Sequence, residues 1–70
     1  MNQKEEFGIR IEQYIRENNL TNRAFAKQIG IREATLSQYI YGTRYPQVKI
    51  IIRICKTFNI SADWLLGLKD

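Results

Sequence analysis

The chain has 70 residues, enough for one small domain and too few for a second. Its single cysteine, Cys55, excludes an intrachain disulfide and a thiolate zinc site, and the absence of histidine removes the commonest general base and metal ligand. No apolar run approaches the roughly 18 residues that span a bilayer, and the first ten residues lack the apolar core of a signal peptide. We therefore expect an intracellular binding module rather than an enzyme, with no metal or cofactor and no association with a membrane.

The net charge of +4 is concentrated in the middle of the chain. Between Leu20 and Lys56 there are seven basic residues and one acid, Glu33, whereas the segments on either side each carry a net charge of −1. A segment of this kind is typical of a surface that binds a polyanion. It is also compatible with a solvated helix face, so charge alone leaves both interpretations open.

The first two predicted helices are short and amphipathic. The first spans about residues 4–18, where apolar side chains at positions 7, 11, 14 and 15 share one face, and Asn18-Asn19 ends it. In the second, Thr21 is the expected N-cap, residues 24, 25 and 29 face inward, and Gly30 ends the helix in a left-handed conformation.

The third and fourth predicted helices follow after short turns. The third spans 33–41, with apolar side chains at 36, 39 and 40 facing inward and Gly42 at its end. Pro46 suits the beginning of the fourth. The fourth helix is predicted to bury Ile51, Ile54, Cys55 and Phe58 and to carry Lys49, Arg53 and Lys56 on the opposite side.

Two isoleucines flank the predicted buried stripe of the fourth helix. Either Ile50 and Ile52 are both buried, or one of them stays exposed as part of a homodimer surface. A fifth helix over 62–66, capped by Ser61, returns Trp64 to the core. Because no segment alternates as a strand does, the pattern predicts an all-α fold of five helices.

Residues 20–46 contain the strongest functional signal in the sequence. Two short helices are joined by a tight turn at Gly30-Ile31, so they must cross at a steep angle. The second helix of such a pair can project far enough to enter the major groove of B-DNA, which is about 12 Å wide.

A series of short motifs, in this order and spacing, resembles the Cro/phage-repressor type of helix-turn-helix domain, the XRE family. The motifs are Leu20-Thr21, Phe25-Ala26, Ile29-Gly30-Ile31, Leu36-Ser37, Gly42-Thr43-Arg44 with Pro46, and ISADWLLG at 60–67. The resemblance covers about residues 8–67. It implies a lambda-repressor-like five-helix bundle within one domain over 1–70, with the helix-turn-helix at about 21–41 and the recognition helix at 33–41.

Among the departures from the pattern of that family, two concern the predicted contact with DNA. Asn22 stands where many members have a glutamine that binds a phosphate, and its side chain is one methylene shorter. Arg32 replaces the usual serine or threonine cap of the recognition helix. Arginine cannot cap with its side chain, so Arg32 either lowers the stability of the helix or reaches the DNA.

The resemblance implies which side chains meet DNA. The predicted base-reading residues are Arg32, Glu33, Ala34, Ser37 and Gln38. The predicted phosphate-binding residues are Asn22, Arg23, Tyr41, Thr43 and Arg44. Gln38 suits a bidentate contact with adenine and Ala34 suits a thymine methyl group. Glu33 either accepts from cytosine N4 or only favours the positive end of its helix, an effect of about 0.3–1 kcal/mol.

We expect a sequence-specific double-stranded DNA-binding regulator that represses transcription by occlusion in the cytoplasm, at the nucleoid. One recognition helix reads few base pairs, so a weak or DNA-induced homodimer is expected on half-sites about 34–36 Å apart. No small-molecule ligand site is expected. The alternative is an antitoxin or regulatory adaptor of the same fold whose main partner is another protein. An RNA-binding role ranks third because no exposed aromatic platform is evident.

Overall fold

The computed structural model describes residues 3–69, and over that range the chain forms five α-helices and no strand. The helices are α1 (Gln3–Glu17), α2 (Asn22–Ile29), α3 (Glu33–Ile40), α4 (Val48–Phe58) and α5 (Ala62–Leu65). The predicted all-α, five-helix fold is confirmed. Within the described range, no helix combines the length and the hydrophobicity that crossing a bilayer requires.

Local capping interactions fix the ends of α1, α2 and α5 as the sequence predicts. Thr21 is the N-cap of α2, and its Oγ1 accepts a hydrogen bond from the Ala24 N–H at 3.0 Å. Gly30 ends α2 with a φ of 73°, and Asn19 follows α1 with a φ of 55°. Ser61 Oγ accepts from the Trp64 N–H at 3.4 Å at the start of α5. These ends are set by residues within a few positions of one another, which is why the sequence alone reveals them.

A close approach between α1 and α3 is made possible by a glycine. Gly8 is buried in the middle of α1 and faces the carboxyl end of α3. A Cβ atom at position 8 would lie 2.5 Å from the Tyr39 carbonyl oxygen and closer still to that of Ile40. Only a residue without a side chain lets the two backbones meet here, so Gly8 determines how close α3 lies to α1.

Aromatic contacts join the helices at the centre of the core. The rings of Phe25 on α2 and Phe58 on α4 stack with centroids 4.5 Å apart and planes within 2° of parallel. Tyr14 of α1 meets the Phe58 ring edge-on at 5.5 Å, and its hydroxyl donates to the Phe58 carbonyl oxygen at 3.4 Å. Side chains from three helices thus converge on one aromatic group, which holds α2 firmly against the rest of the bundle.

The predicted start of α4 is wrong by two residues. Pro46 is buried in the loop, and the helix begins only at Val48, after Gln47 in an extended conformation with ψ 157°. Proline is tolerated in the first turn of a helix, but Pro46 lies in the loop before α4, where its ring is buried. Pro46 therefore precedes α4 and is not its first residue.

The predicted buried face of α4 is also rotated from the observed one. Ile50 is buried together with Ile51 and Ile54, whereas Cys55 is only half-buried. Ile52 is 48% exposed, so one of the two flanking isoleucines does remain on the surface. The rotation turns Ile50 toward the core, and the exposed Arg53 reaches α2, where its guanidinium bonds to the Ile29 carbonyl oxygen.

The short α5 is tied to α1 by a charged side chain. The guanidinium of Arg10 lies 5.4 Å from the centre of the Trp64 ring and bonds to the Glu6 carboxylate at 3.0 Å. Trp64 is half-buried between this cation and the core, and Leu65 beside it is fully buried. A cation over an indole ring contributes about 0.5–1 kcal/mol at a partly exposed site.

Candidate nucleic-acid interface

Only three residues, 30–32, separate the last residue of α2 from the first residue of α3. The Ile31 N–H donates to the Ala26 carbonyl oxygen at 3.0 Å and the Gly30 N–H donates to that of Lys27 at 3.2 Å, which closes the end of α2. Arg32 then takes an extended conformation as the N-cap of α3, and its side chain makes no capping hydrogen bond. Arg32 is exposed, so its guanidinium is available to a ligand.

The third helix has one buried and one exposed face. Leu36 and Tyr39 are 0% and 3% exposed and attach the helix to the core. The predicted base-reading residues lie on the other side: Arg32, Glu33, Ala34 and Gln38 are exposed, and Ser37 is half-buried. Glu33, Ser37 and Gln38 thus form a polar edge of α3 that faces away from the core, with the methyl group of Ala34 among them and Arg32 just before the first turn.

The predicted phosphate-binding residues form two groups. Asn22 and Arg23 are exposed in the first turn of α2, where backbone N–H groups have no acceptor within the helix. Tyr41, which is 78% exposed, lies beyond the end of α3, followed by the exposed Thr43 and Arg44. Asn22 and Arg23 therefore lie on the surface at the first turn of α2, and the other group lies on the surface after the last turn of α3.

The Gln38 carbonyl oxygen fastens residues 43 and 44 of the loop after α3 to the helix. The Gln38 carbonyl accepts from the Thr43 N–H at 3.0 Å, the Thr43 hydroxyl at 3.2 Å and the Arg44 N–H at 3.3 Å. Both hydrogen-bond donors of Thr43 are thus engaged within the chain. A phosphate contact from Thr43 requires its hydroxyl to rotate away from Gln38, whereas the side chain of Arg44 remains available.

Ion pairing leaves the positive charge of the middle segment unopposed. Within residues 3–69 the ion pairs are Glu6–Arg10, Glu12–Arg16 and Asp63–Lys69, at 3.0, 3.3 and 4.0 Å. All of them lie outside residues 20–56. Six exposed cations in that segment pair with no acid of the described range: Arg23, Lys27, Arg32, Arg44, Lys49 and Lys56. Lys49 and Lys56 lie on α4, whereas the other four lie on α2, in the turn and in the loop after α3, where the surface is therefore positively charged and suited to a polyanion.

Comparison with known proteins identifies the family. A family model described as a helix-turn-helix domain matches residues 8–70, which is most of the chain. The chain belongs to this helix-turn-helix family. Helix-turn-helix proteins of this family occur among DNA-binding regulators of the XRE/Cro type and are typically not enzymes. A search of curated proteins and a search of solved structures found no match. The resemblance drawn from the motifs is confirmed.

The matched region of the helix-turn-helix family includes α2, α3 and the loop that leads to α4. Every residue of the predicted interface falls inside it. Two contributors were missed by sequence reasoning: Gly8, which sets the distance of α3 from α1, and Arg53, which holds the end of α2. Neither carries a local signal, because each acts on a helix distant in sequence.

Proposed function

We propose that this helix-turn-helix protein is a sequence-specific double-stranded DNA-binding repressor that acts as one domain over residues 1–70. The observation that carries the proposal is the polar exposed edge of α3, held by Leu36 and Tyr39 and accompanied by cations that form no ion pair with an acid of residues 3–69. Such an edge on a basic surface suits the major groove. A protein with this role works where the chromosome is, in the cytoplasm at the nucleoid.

Base reading is assigned to the exposed edge of α3. Gln38 offers both a donor and an acceptor, which suits adenine, and Ala34 suits contact with a thymine methyl group. Glu33 is the one acid of the basic segment and suits the amino group of cytosine. Ser37, which lies between Ala34 and Gln38, and Arg32, which precedes Glu33, are the other two proposed base-reading residues.

Phosphate binding is assigned to the two groups next to α3. Asn22 and Arg23 provide an amide, a cation and first-turn N–H groups on one side. Tyr41, Thr43 and Arg44 provide hydroxyl groups and a cation on the other. Contacts of this kind fix the position of the protein on the duplex, while the edge of α3 discriminates the bases.

Occupation of an operator by two copies is part of the proposal. One recognition helix reads too few base pairs for selective repression, and a symmetric pair reads half-sites about 34–36 Å apart. Val48 and Ile52 are 70% and 48% exposed and lie one turn apart on α4. A patch this small suits a weak dimer that forms on DNA rather than a permanent one. Repression then follows from exclusion of other proteins from the bound site.

The same exposed apolar pair favours a second candidate function. In an antitoxin or regulatory adaptor, Val48 and Ile52 would contact a different protein, and DNA binding would be secondary. The two functions differ in their requirement for the α3 edge, because an adaptor that uses α4 does not need Gln38 or Ser37.

Binding to fluorescent duplexes over a series of salt concentrations tests the proposal. We expect a duplex to bind more tightly than a single strand of the same length, with affinity falling steeply as salt rises. Arg23→Gln should lower the salt slope by about 1. Lys56→Gln removes the same charge from the carboxyl end of α4 and should leave the slope unchanged. Equal effects of the two variants would contradict the assigned interface.

A further inference from the structure

An open pocket of about 340 Å³ lies beside α3, on the side that faces the start of α4. Its walls are the turn at residues 30–32, the edge of α3 at Thr35 and Tyr39, the loop at 44–47, and the first turn of α4 at residues 49 and 50. The pocket thus combines parts of the chain up to 20 residues apart. Of these residues, only Arg32 and Arg44 belong to the predicted DNA interface.

The lining of the pocket is strongly positive. Arg32, Arg44 and Lys49 contribute three cations, and no lining residue within the described range is acidic. None of the three cations takes part in an ion pair or a side-chain hydrogen bond with another described residue. Three like charges around so small a volume repel one another, and an anion placed between them relieves the repulsion.

Neutral groups in the lining complement the charges. Thr35 and Gln47 bring a hydroxyl and an amide to the pocket, and Tyr45 brings a phenol. The Tyr45 hydroxyl is protonated at neutral pH and can donate a hydrogen bond, and burial raises its pKa further. Both α3 and α4 begin at the pocket, and neither N-cap, Arg32 or Gln47, is capped by its side chain. The partial positive charges at the amino-terminal ends of α3 and α4 make the electrostatic potential in the pocket more positive.

We propose that this pocket binds a phosphate group and that Lys49 is one of its ligands. Two guanidinium groups and an ammonium group, with neutral donors between them, match the oxygens of a phosphate, and the volume admits one or two such groups. The phosphate comes either from the DNA backbone beside α3 or from a free phosphorylated molecule. The first source rests on the proposed DNA-binding function; the second does not.

The first arm of the test uses inorganic pyrophosphate and no DNA, at constant ionic strength. We expect amide resonances of residues 30–32, 44–45 and 47–50 to shift in a saturable manner. Lys49→Gln should weaken this binding by about tenfold, because it removes a charged hydrogen bond. Lys56→Gln, the same change on the same helix outside the pocket, should leave binding unchanged. Shifts that are spread over the surface, or an equal loss in both variants, overturn the proposal.

The second arm identifies the source by measuring the salt slope of duplex binding. If the DNA backbone fills the pocket, Lys49→Gln lowers the slope by about 1 and pyrophosphate competes with the duplex. If Lys49→Gln weakens pyrophosphate binding by about tenfold and leaves the slope intact, the pocket takes a free phosphorylated molecule. If the protein binds pyrophosphate in the pocket but binds no duplex, the result contradicts the proposed DNA-binding function and still supports the phosphate site.

Discussion

The Arg53 guanidinium donates a hydrogen bond to the Ile29 carbonyl oxygen at 2.9 Å and so joins α4 to the last turn of α2. That carbonyl lies in the last turn of α2, where no intrahelical N–H is available, and the charge sits at the negative end of the helix. The bond holds the end of α2 directly before the turn from which α3 begins. Arg53, a cation of the basic segment, therefore holds the end of α2 against α4 and helps to fix the orientation of the helix-turn-helix.

Removal of this bond should loosen the fold. We expect Arg53→Ala to lower the free energy of unfolding by about 1 kcal/mol, the lower end for a charged hydrogen bond because the side chain is largely exposed. Lys56→Ala removes a charge from the same helix without removing a bond and should cost less than about 0.5 kcal/mol. Urea denaturation of both variants measures the difference, and equal losses would show that the Arg53 bond contributes nothing.

An alanine at position 8 should destabilise the protein even though it improves the intrinsic helix propensity of α1. The gain from replacing a helical glycine is about 1 kcal/mol. This gain is outweighed because the new methyl group overlaps the Tyr39 and Ile40 carbonyl oxygens. Overpacking of this kind typically lowers the free energy of unfolding by about 1–3 kcal/mol. Thermal unfolding should show a lower Tm for Gly8→Ala. The exposed Gln13→Ala on the same helix provides the control, and a stabilised Gly8→Ala protein would contradict the close approach.

Glu33→Gln should relax the preference for one base pair. The amide of glutamine donates as well as accepts, so it no longer requires the cytosine amino group. Affinities for duplexes that differ at single positions measure the change. A loss of about 0.3–1 kcal/mol in stability with unaltered base preference would instead mean that Glu33 serves only the start of α3.

Cys55 should react slowly with thiol reagents. Burial raises the pKa of its thiol, so the reactive thiolate is a smaller fraction at any given pH than in the unfolded chain. Alkylation by iodoacetamide should be slower in buffer than in denaturant, and its rate should continue to rise at pH values where the rate for the unfolded chain has levelled off. Coincident pH profiles would contradict a protected thiol.

The helix ends could be predicted from the sequence because their causes are local. Thr21 and Ser61 accept hydrogen bonds from N–H groups three residues later, and Gly30 adopts the left-handed conformation that ends a helix. The phase of α3 could also be predicted, since Leu36 and Tyr39 define its buried side. The exposed edge of α3, which we propose reads bases, follows from that phase.

The orientation of α4 could not be predicted in the same way. Three consecutive isoleucines at 50–52 leave the apolar stripe ambiguous, and tertiary contacts decide which of them is buried. The contact of Arg53 with α2 and the burial of Pro46 settle that choice, and neither has a local signature. The pocket that contains Lys49 depends on the same orientation, so it too is visible only in the fold.

Selection of bound sequences from random duplex DNA at fixed salt tests the central claim most directly. The account predicts that the protein enriches one short motif and that Gln38→Ala loses the preference at one position of it. Gln13→Ala, the same substitution on α1, should select the unchanged motif. If the protein enriches no sequence, or if Gln38→Ala selects the same motif as the unaltered chain, then the exposed edge of α3 does not read DNA.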